Sequence, residues 1–301
     1  MYMVFLILTF VVNFILNFVF WFTIYALAQP FYLPEWVPVY NREAMLTMFC
    51  TFSAASILIP AVILRYGPLQ WLLVFSNGGV PARGEYREIL QRVLNHVCEK
   101  SGFHPEDFHL YTYRDEKDAY NALAIGTNRI IVSEQLLSDF SFEEVCGVVA
   151  HEIGHLREGH TKMFLWAYGM SWFQNIASIV YGIIYTAARI LCFIPFLGII
   201  VSIITFLFFL FLQILNFILY IPHFIVERFG SRKYEYAADA YASSIGLGIE
   251  LACSLQHMDD IAGNIRLNFF ERMIADHPDV PQRIERLGQL EAKRQGWDKE
   301  K

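Results

Sequence analysis

The chain has 301 residues, of which 55% are hydrophobic and only 17% charged, and its formal net charge is −6. Soluble domains carry about 25% charged residues, so this composition disfavours a wholly water-exposed chain, and the acidic balance offers no basic surface for a nucleic acid. The five cysteines include no Cys-x-x-Cys pair. No disulfide framework or cysteine zinc site is implied, which fits a reducing compartment, and the cysteines read best as small buried side chains.

The apolar residues come in blocks. Residues 3–28 and 44–64 carry no charge, and two further blocks lie between Lys162 and Arg189 and between Arg189 and Glu227. A membrane-crossing helix needs ~20 apolar residues, so four spans are expected. The last block is overlong and interrupted by Pro195, Gly198 and Pro222. The first block could instead be a cleaved signal peptide ending at Ala26-Leu27-Ala28. Against that, it has no basic leading segment, and its apolar run exceeds the usual 7–15 residues. Between the first two blocks, Pro30, Pro34 and Pro38 stand among Phe31, Tyr32, Trp36 and Tyr40, which suits an aromatic belt at the outer interface.

Residues 76–84 (Ser-Asn-Gly-Gly-Val-Pro-Ala-Arg-Gly) are rich in turn formers. A helix is expected over 85–100, with Tyr86, Ile89, Val93 and Val97 on one face. Three short strands follow at 108–113, 120–125 and 129–133, the last two joined across Gly126-Thr127-Asn128. Ser141 and Glu144 form a capping box that starts a helix near Phe142, and Val145, Val148, Val149 and Leu156 give that helix a core side.

On this helix, residues 151–155 read His-Glu-Ile-Gly-His. His151 and His155 lie one turn apart on one face, so both imidazoles can address one metal ion. Glu152 is placed to act as a general base on a metal-activated water. A catalytic zinc takes three protein ligands and keeps one position open. The third candidate is Glu235 in Ser231-Arg-Lys-Tyr-Glu-Tyr-Ala-Ala-Asp239. Asp239, four residues on, shares its helix face and can accept a hydrogen bond from the far nitrogen of a ligand histidine. Ala237, Ala238 and Ala240 let that helix pack closely against another. The alternative for this segment is a solvated charged face. His160 follows His155 by five residues, not the six of the metzincin pattern, and Glu158 stands where that pattern needs glycine. His160 is therefore not expected to be a ligand. Further helices are expected near 249–262 and from about Pro281.

The expected fold class is mainly α with a small β-sheet (α+β): a zincin-type metalloprotease domain fused to four transmembrane helices. Residues 1–75 supply two N-terminal spans and 76–163 the first half of the protease domain. Residues 164–226 supply a second pair of spans, and 227–301 the second half with the third ligand. A membrane hairpin then delivers Glu235 to a site near the bilayer surface. Arg65, Arg83, Arg157, Lys162, Arg228, Arg232 and Lys233 lie on the motif side, against Arg42 and Arg189 on the other. Basic residues favour the cytoplasm, so the protease domain and both termini are expected there, in a multi-pass protein of the plasma (inner) membrane.

Four motifs extend the reading: Tyr120-Asn-Ala-Leu-Ala-Ile-Gly, His151–His155, Ser231-Arg-x-x-Glu235-x-x-Ala-Asp239 and His277-Pro-x-x-x-x-Arg283-Ile. With the order of the spans, they resemble the HtpX-like membrane zinc metallopeptidases, relatives of the CAAX prenyl endopeptidases. The resemblance covers about residues 120 to 290. It implies one Zn2+ per chain and membrane or unfolded proteins as substrates, in membrane protein quality control. It implies a substrate-pairing edge at Asn121, Ala122, Leu123 and Ala124, and places His277 and Arg283 near the metal, where they can stabilise an oxyanion. His277 before Pro278 could equally be a turn residue. Two other functions share the motif. An intramembrane-cleaving zinc protease would bury it in an apolar span, whereas here it is flanked by Ser-Phe-Glu-Glu and Leu-Arg-Glu-Gly-His-Thr-Lys. A catalytically inactive zinc-binding scaffold would have no use for Glu152.

Overall fold

The computed structural model describes residues 2–28, 42–66, 69–114, 120–190, 197–261 and 280–296. The chain divides into two compact units. One comprises Met1–Gly67 and Leu165–Glu227, the other Pro68–Phe164 and Arg228–Lys301.

The first unit is helical. It contains α1 (Tyr2–Ala28), α2 (Arg42–Tyr66) and large parts of α7 (His160–Ile190) and α8 (Leu197–Ser244). Along α1, Phe5, Val12, Leu16 and Phe20 recur at helical spacing and are buried, together with Thr9, Asn13 and Asn17. Asn13 Nδ2 donates to Ser171 Oγ of α7 at 3.1 Å. Phe20 packs edge-on against Phe173 and Tyr181, with ring centroids 5.3 and 5.4 Å away. The opposite face of α1 is bare and apolar: Met3, Val4, Ile7, Val11 and Ile15 are exposed.

Among the described residues two helices, not four, are long and apolar enough to cross a membrane: Met3–Tyr25 and Glu43–Tyr66. The expected four-span fold class is therefore corrected on this point, while its α+β character holds. The physical reason lies in the later helices. α7 carries Ser171, Gln174, Asn175, Ser178 and Gly182 through its middle, which dilutes its apolar run. In α8 the described apolar stretch is Gly198–Phe211, shorter than the ~20 residues a span needs. The expected aromatic belt at 29–43 lies almost wholly outside the described residues.

The second unit holds a four-stranded sheet in the order β1-β2-β4-β3. Its strands are β1 (Val80–Pro81), β2 (His109–Tyr113), β3 (Ala122–Ile125) and β4 (Arg129–Ser133). β2 and β4 run parallel, from His109↔Arg129 to Tyr113↔Ser133, whereas β3 and β4 form an antiparallel hairpin. The hairpin turns at Gly126, whose φ of 72° lies in the left-handed region that glycine enters without strain. β1 lies within the stretch whose composition suggested only turns, and α3 (Gln70–Ser76) precedes it.

Around the sheet stand α4 (Gly84–Ser101), α5 (Glu134–Asp139), α6 (Phe142–Arg157), α9 (Gly248–Ile261) and α10 (Val280–Arg294). One core joins them: Leu90, Val93, Leu94 and Val97 of α4, Ile130 and Val132 of β4, Val145, Val149 and Ile153 of α6, Leu251 of α9 and Leu287 of α10. α6 and α9 touch backbone to backbone. A Cβ on Gly147 would collide with the Leu251 amide nitrogen and lie 2.6 Å from the Glu250 carbonyl carbon. This packing holds α6, the helix that carries the His-Glu motif, rigidly in the centre of the unit.

Candidate metal centre

α6 starts where its sequence requires. Ser141 Oγ accepts a hydrogen bond from the Glu144 amide at 3.3 Å, and Glu144 Oε2 accepts from the Ser141 amide at 2.8 Å. This reciprocal cap satisfies two N–H groups at the helix start. It also holds the Glu144 carboxyl below its usual pKa: burial works against that, but the Ser141 bonds and His257 outweigh it.

Ten residues past the cap, His151 and His155 project from one face of α6. The C-terminal part of α8 crosses α6 at Gly154, where a Cβ would stand 2.9 Å from Ala238 Cα and 3.1 Å from its carbonyl oxygen. Only a helix surface of this kind lets Glu235, one turn before Ala238–Asp239, come level with the imidazoles. His151 Nε2 and His155 Nε2 are 3.1 Å apart. Glu235 Oε2 lies 3.5 Å from His151 Nε2, and Oε1 lies 3.4 Å from His155 Nε2. A tetrahedral ion with bonds of about 2.0–2.1 Å separates its ligand atoms by about 3.3–3.4 Å. The three observed spacings bracket that edge length, so these residues fit a divalent cation of zinc's size and preferences. Among the described residues this is the group of His, Cys, Asp and Glu side chains that converges in this way.

Behind the donors lies a buried ionic cluster. His151 Nδ1 is 2.9 Å from Asp239 Oδ1, so it donates there and leaves Nε2 as the nitrogen that faces the centre. Arg283 of α10 grips Asp239 with both sides of its guanidinium, Nη2 to Oδ1 at 2.7 Å and Nε to Oδ2 at 2.9 Å. Its Nη1 reaches Glu235 Oε2 at 3.2 Å. Asp239 is fully buried. Burial alone would raise its pKa, yet the His151 bond and the Arg283 charge hold it below the ordinary range. Burial likewise works against charge on His151, but the bonds to Asp239 and Glu235 carry its pKa up to about 9. Glu152 is buried beside His151, and its charge is felt at Arg283.

His160, set aside as a ligand by its spacing, opens α7 with 2% of its surface exposed. Its Nδ1 is 3.0 Å from His155 Nδ1, on the far side of the ring from the donor atom. Burial, with His155 adding to it, pushes its pKa down to about 4. The spacing argument addressed ligation only; no sequence signal announced this contact. The fork from Arg283 to Asp239 was equally hidden, because a motif does not tell which carboxylate an arginine meets. His277 lies outside the described residues.

Asn121, Ala122, Leu123 and Ala124 sit at the free edge of the sheet. β3 pairs with β4 alone among the described strands. The Ser133 amide donates to the Asn121 carbonyl at 2.9 Å. By the alternation of antiparallel pairs, Leu123 and Ile125 face β4, and the N–H and C=O groups of Ala122 and Ala124 face outwards.

A helix-borne His-Glu-x-x-His joined by a glutamate from a later helix, beside a sheet with an open edge, defines the metallopeptidase class. The chain belongs to peptidase family M48, whose model matches residues 86–291. It is also similar to a crystal structure of S. mikatae Ste24p, with a TM-score of 0.52 at 20% identity over 89% of this chain. The match spans 66% of that structure's length, and at this identity it speaks for the fold alone. No curated protein matches the chain.

Proposed function

We propose that the protein is a membrane-anchored, zinc-dependent endopeptidase of the HtpX-like kind, acting on membrane or unfolded proteins in membrane protein quality control. The observation that carries this reading is the convergence of His151 Nε2, His155 Nε2 and Glu235 within one cation's reach. The Asp239–Arg283 pair behind them fixes the His151 tautomer.

His151, His155 and Glu235 would hold the zinc, which would supply Lewis acidity for hydrolysis near neutral pH. Glu152 would serve as general base towards the attacking water and then as general acid towards the leaving amine. The substrate lies along β3 as an added strand, held by the outward backbone groups of Ala122 and Ala124, which recognise peptide rather than sequence. His277 is a further candidate for oxyanion stabilisation.

Membrane anchorage is supported by the inverted burial of α1. Its polar Thr9, Asn13 and Asn17 face inwards while Val4, Ile7, Val11 and Ile15 face out. Such a surface is stable against lipid and too apolar for water. Arg65 stands in the last turn of α2 and Arg83 follows it, while Arg42 opens the helix at its other end, which favours a cytoplasmic protease unit.

The test is Glu152→Gln in the full chain. Zinc content should stay at one per chain, while cleavage of an unstructured protein in detergent falls by about 10²–10⁴-fold. Substantial residual proteolysis would overturn the assignment of Glu152.

A further inference from the structure

We infer that His160 is a positioning residue for the metal centre: it accepts the Nδ1 proton of His155 and so aims the Nε2 lone pair of that ring at the cation. The inference rests on His155 being a ligand and goes beyond it.

The two ligand histidines face different surroundings. His151 has a carboxylate behind it, with Asp239 Oδ1 2.9 Å from Nδ1. His155 has none. What stands behind its Nδ1 is the Nδ1 of His160 at 3.0 Å. Two ring nitrogens at that distance share one proton: one donates and the other accepts. If His155 binds through Nε2, its own proton must be on Nδ1, which makes His160 Nδ1 the acceptor. His160 therefore carries its proton on Nε2. The pair is a neutral counterpart of the carboxylate–histidine arrangement at His151, with one imidazole acting as base towards another.

His160 is held in place to do this. Its ring lies against that of Tyr234, with centroids 4.3 Å apart and planes 32° from parallel. The Tyr234 hydroxyl in turn reaches Met163 Sδ at 3.3 Å, one turn further along α7. Tyr234 immediately precedes Glu235, the third donor. One buried ring thus touches the second ligand directly and braces the residue next to the third. The chemistry gives a further consequence. With Asp239 behind one histidine and a neutral ring behind the other, the centre carries one negative charge fewer than a site with two such carboxylates. It should then be the more electrophilic for it.

The test uses the full chain in detergent, with zinc affinity read by chelator competition and coordination read from the visible spectrum of the cobalt-substituted protein. His160→Phe keeps the ring against Tyr234 and removes the acceptor. His160→Asn restores an acceptor oxygen without the ring. His160→Phe should bind zinc about 10–100-fold more weakly than the unaltered chain and give a shifted cobalt spectrum. Its metal-free melting point should be unchanged, and His160→Asn should recover at least half of the lost affinity on a logarithmic scale. Unaltered affinity in His160→Phe overturns the inference. So does an equal fall in melting point with and without zinc, which marks a packing role alone. Should the unaltered chain bind no zinc, the metal reading fails and takes this one with it; should it bind zinc while His160→Phe binds equally well, only this inference fails.

Discussion

At the scale of single residues, the centre is a competition between a proton and a cation for His151. In the metal-free protein its pKa is raised from 6.5 to about 9, with burial opposing and the bonds to Asp239 and Glu235 prevailing. A raised pKa means that protonated His151 stabilises the metal-free fold fully below about 6.5, and that this contribution is lost as the pH rises through about 9. Cation binding has the opposite sign, because the ion needs the neutral ring. Below pH 9 it must displace the proton, so apparent affinity should climb by about tenfold per pH unit and level off above 9. Chelator competition between pH 6.5 and 9.5 would show the slope and its break. Asp239→Asn keeps an acceptor oxygen but removes the negative charge that raises the pKa, so the break should move to lower pH and the plateau should fall by about 10–100-fold. A slope that ignores Asp239 would mean that another group controls the competition.

At the scale of elements, the site depends on how closely two helices approach. Gly154 of α6 lies against Ala238 of α8, and a Cβ there would sit 2.9 Å from Ala238 Cα. In an open helix, alanine in place of glycine stabilises by about 1 kcal/mol. At this crossing the methyl meets backbone that cannot swing aside, so Gly154→Ala should destabilise by about 1–3 kcal/mol instead. The helices must separate by a few tenths of an ångström, and Glu235 moves with one while the histidines stay on the other. Zinc affinity should therefore fall even in the molecules that fold. Thermal melting with and without the metal checks both halves: the midpoint should drop, and the shift produced by zinc should shrink.

The same elements explain what was legible in the sequence. The α6 cap and the β3–β4 hairpin are local, written in Ser141, Glu144 and Gly126, and the structure realises both. The small residues at 237, 238 and 240 announced a close helix contact, though not that Gly154 would be its partner. β1 was invisible because two residues, one of them proline, carry no alternation. The count of spans failed for a related reason. Uncharged stretches mark apolar helices, but Gln174 and Asn175 weaken one and the other's described apolar run ends at Phe211. The His155–His160 pair and the Arg283–Asp239 fork join residues that only the fold brings together.

At the scale of the whole molecule, the proposed topology is open to a test that uses the protein's own cysteines. Cys253 on α9 is exposed in the protease unit, whereas Cys98 and Cys146 are buried. Burial pushes the thiols of Cys98 and Cys146 up to about 11 and about 12. The thiolate is the reactive form, so neither should react at neutral pH. Cys50 lies on α2, one of the two apolar helices, and Cys192 lies outside the described residues. Replacing those two by serine leaves Cys253 as the reactive thiol. If α1 and α2 anchor the chain with the protease unit in the cytoplasm, a membrane-impermeant maleimide should label Cys253 in inside-out vesicles and spare it in intact cells. Carbonate at high pH should leave the chain in the membrane fraction. Labelling of intact cells would put the metal centre on the outer face, contrary to the charge pattern of Arg65 and Arg83. Release by carbonate would mean that the bare apolar faces of α1 and α2 are covered by protein rather than lipid. The two results are independent, so the experiment separates the question of anchorage from that of orientation.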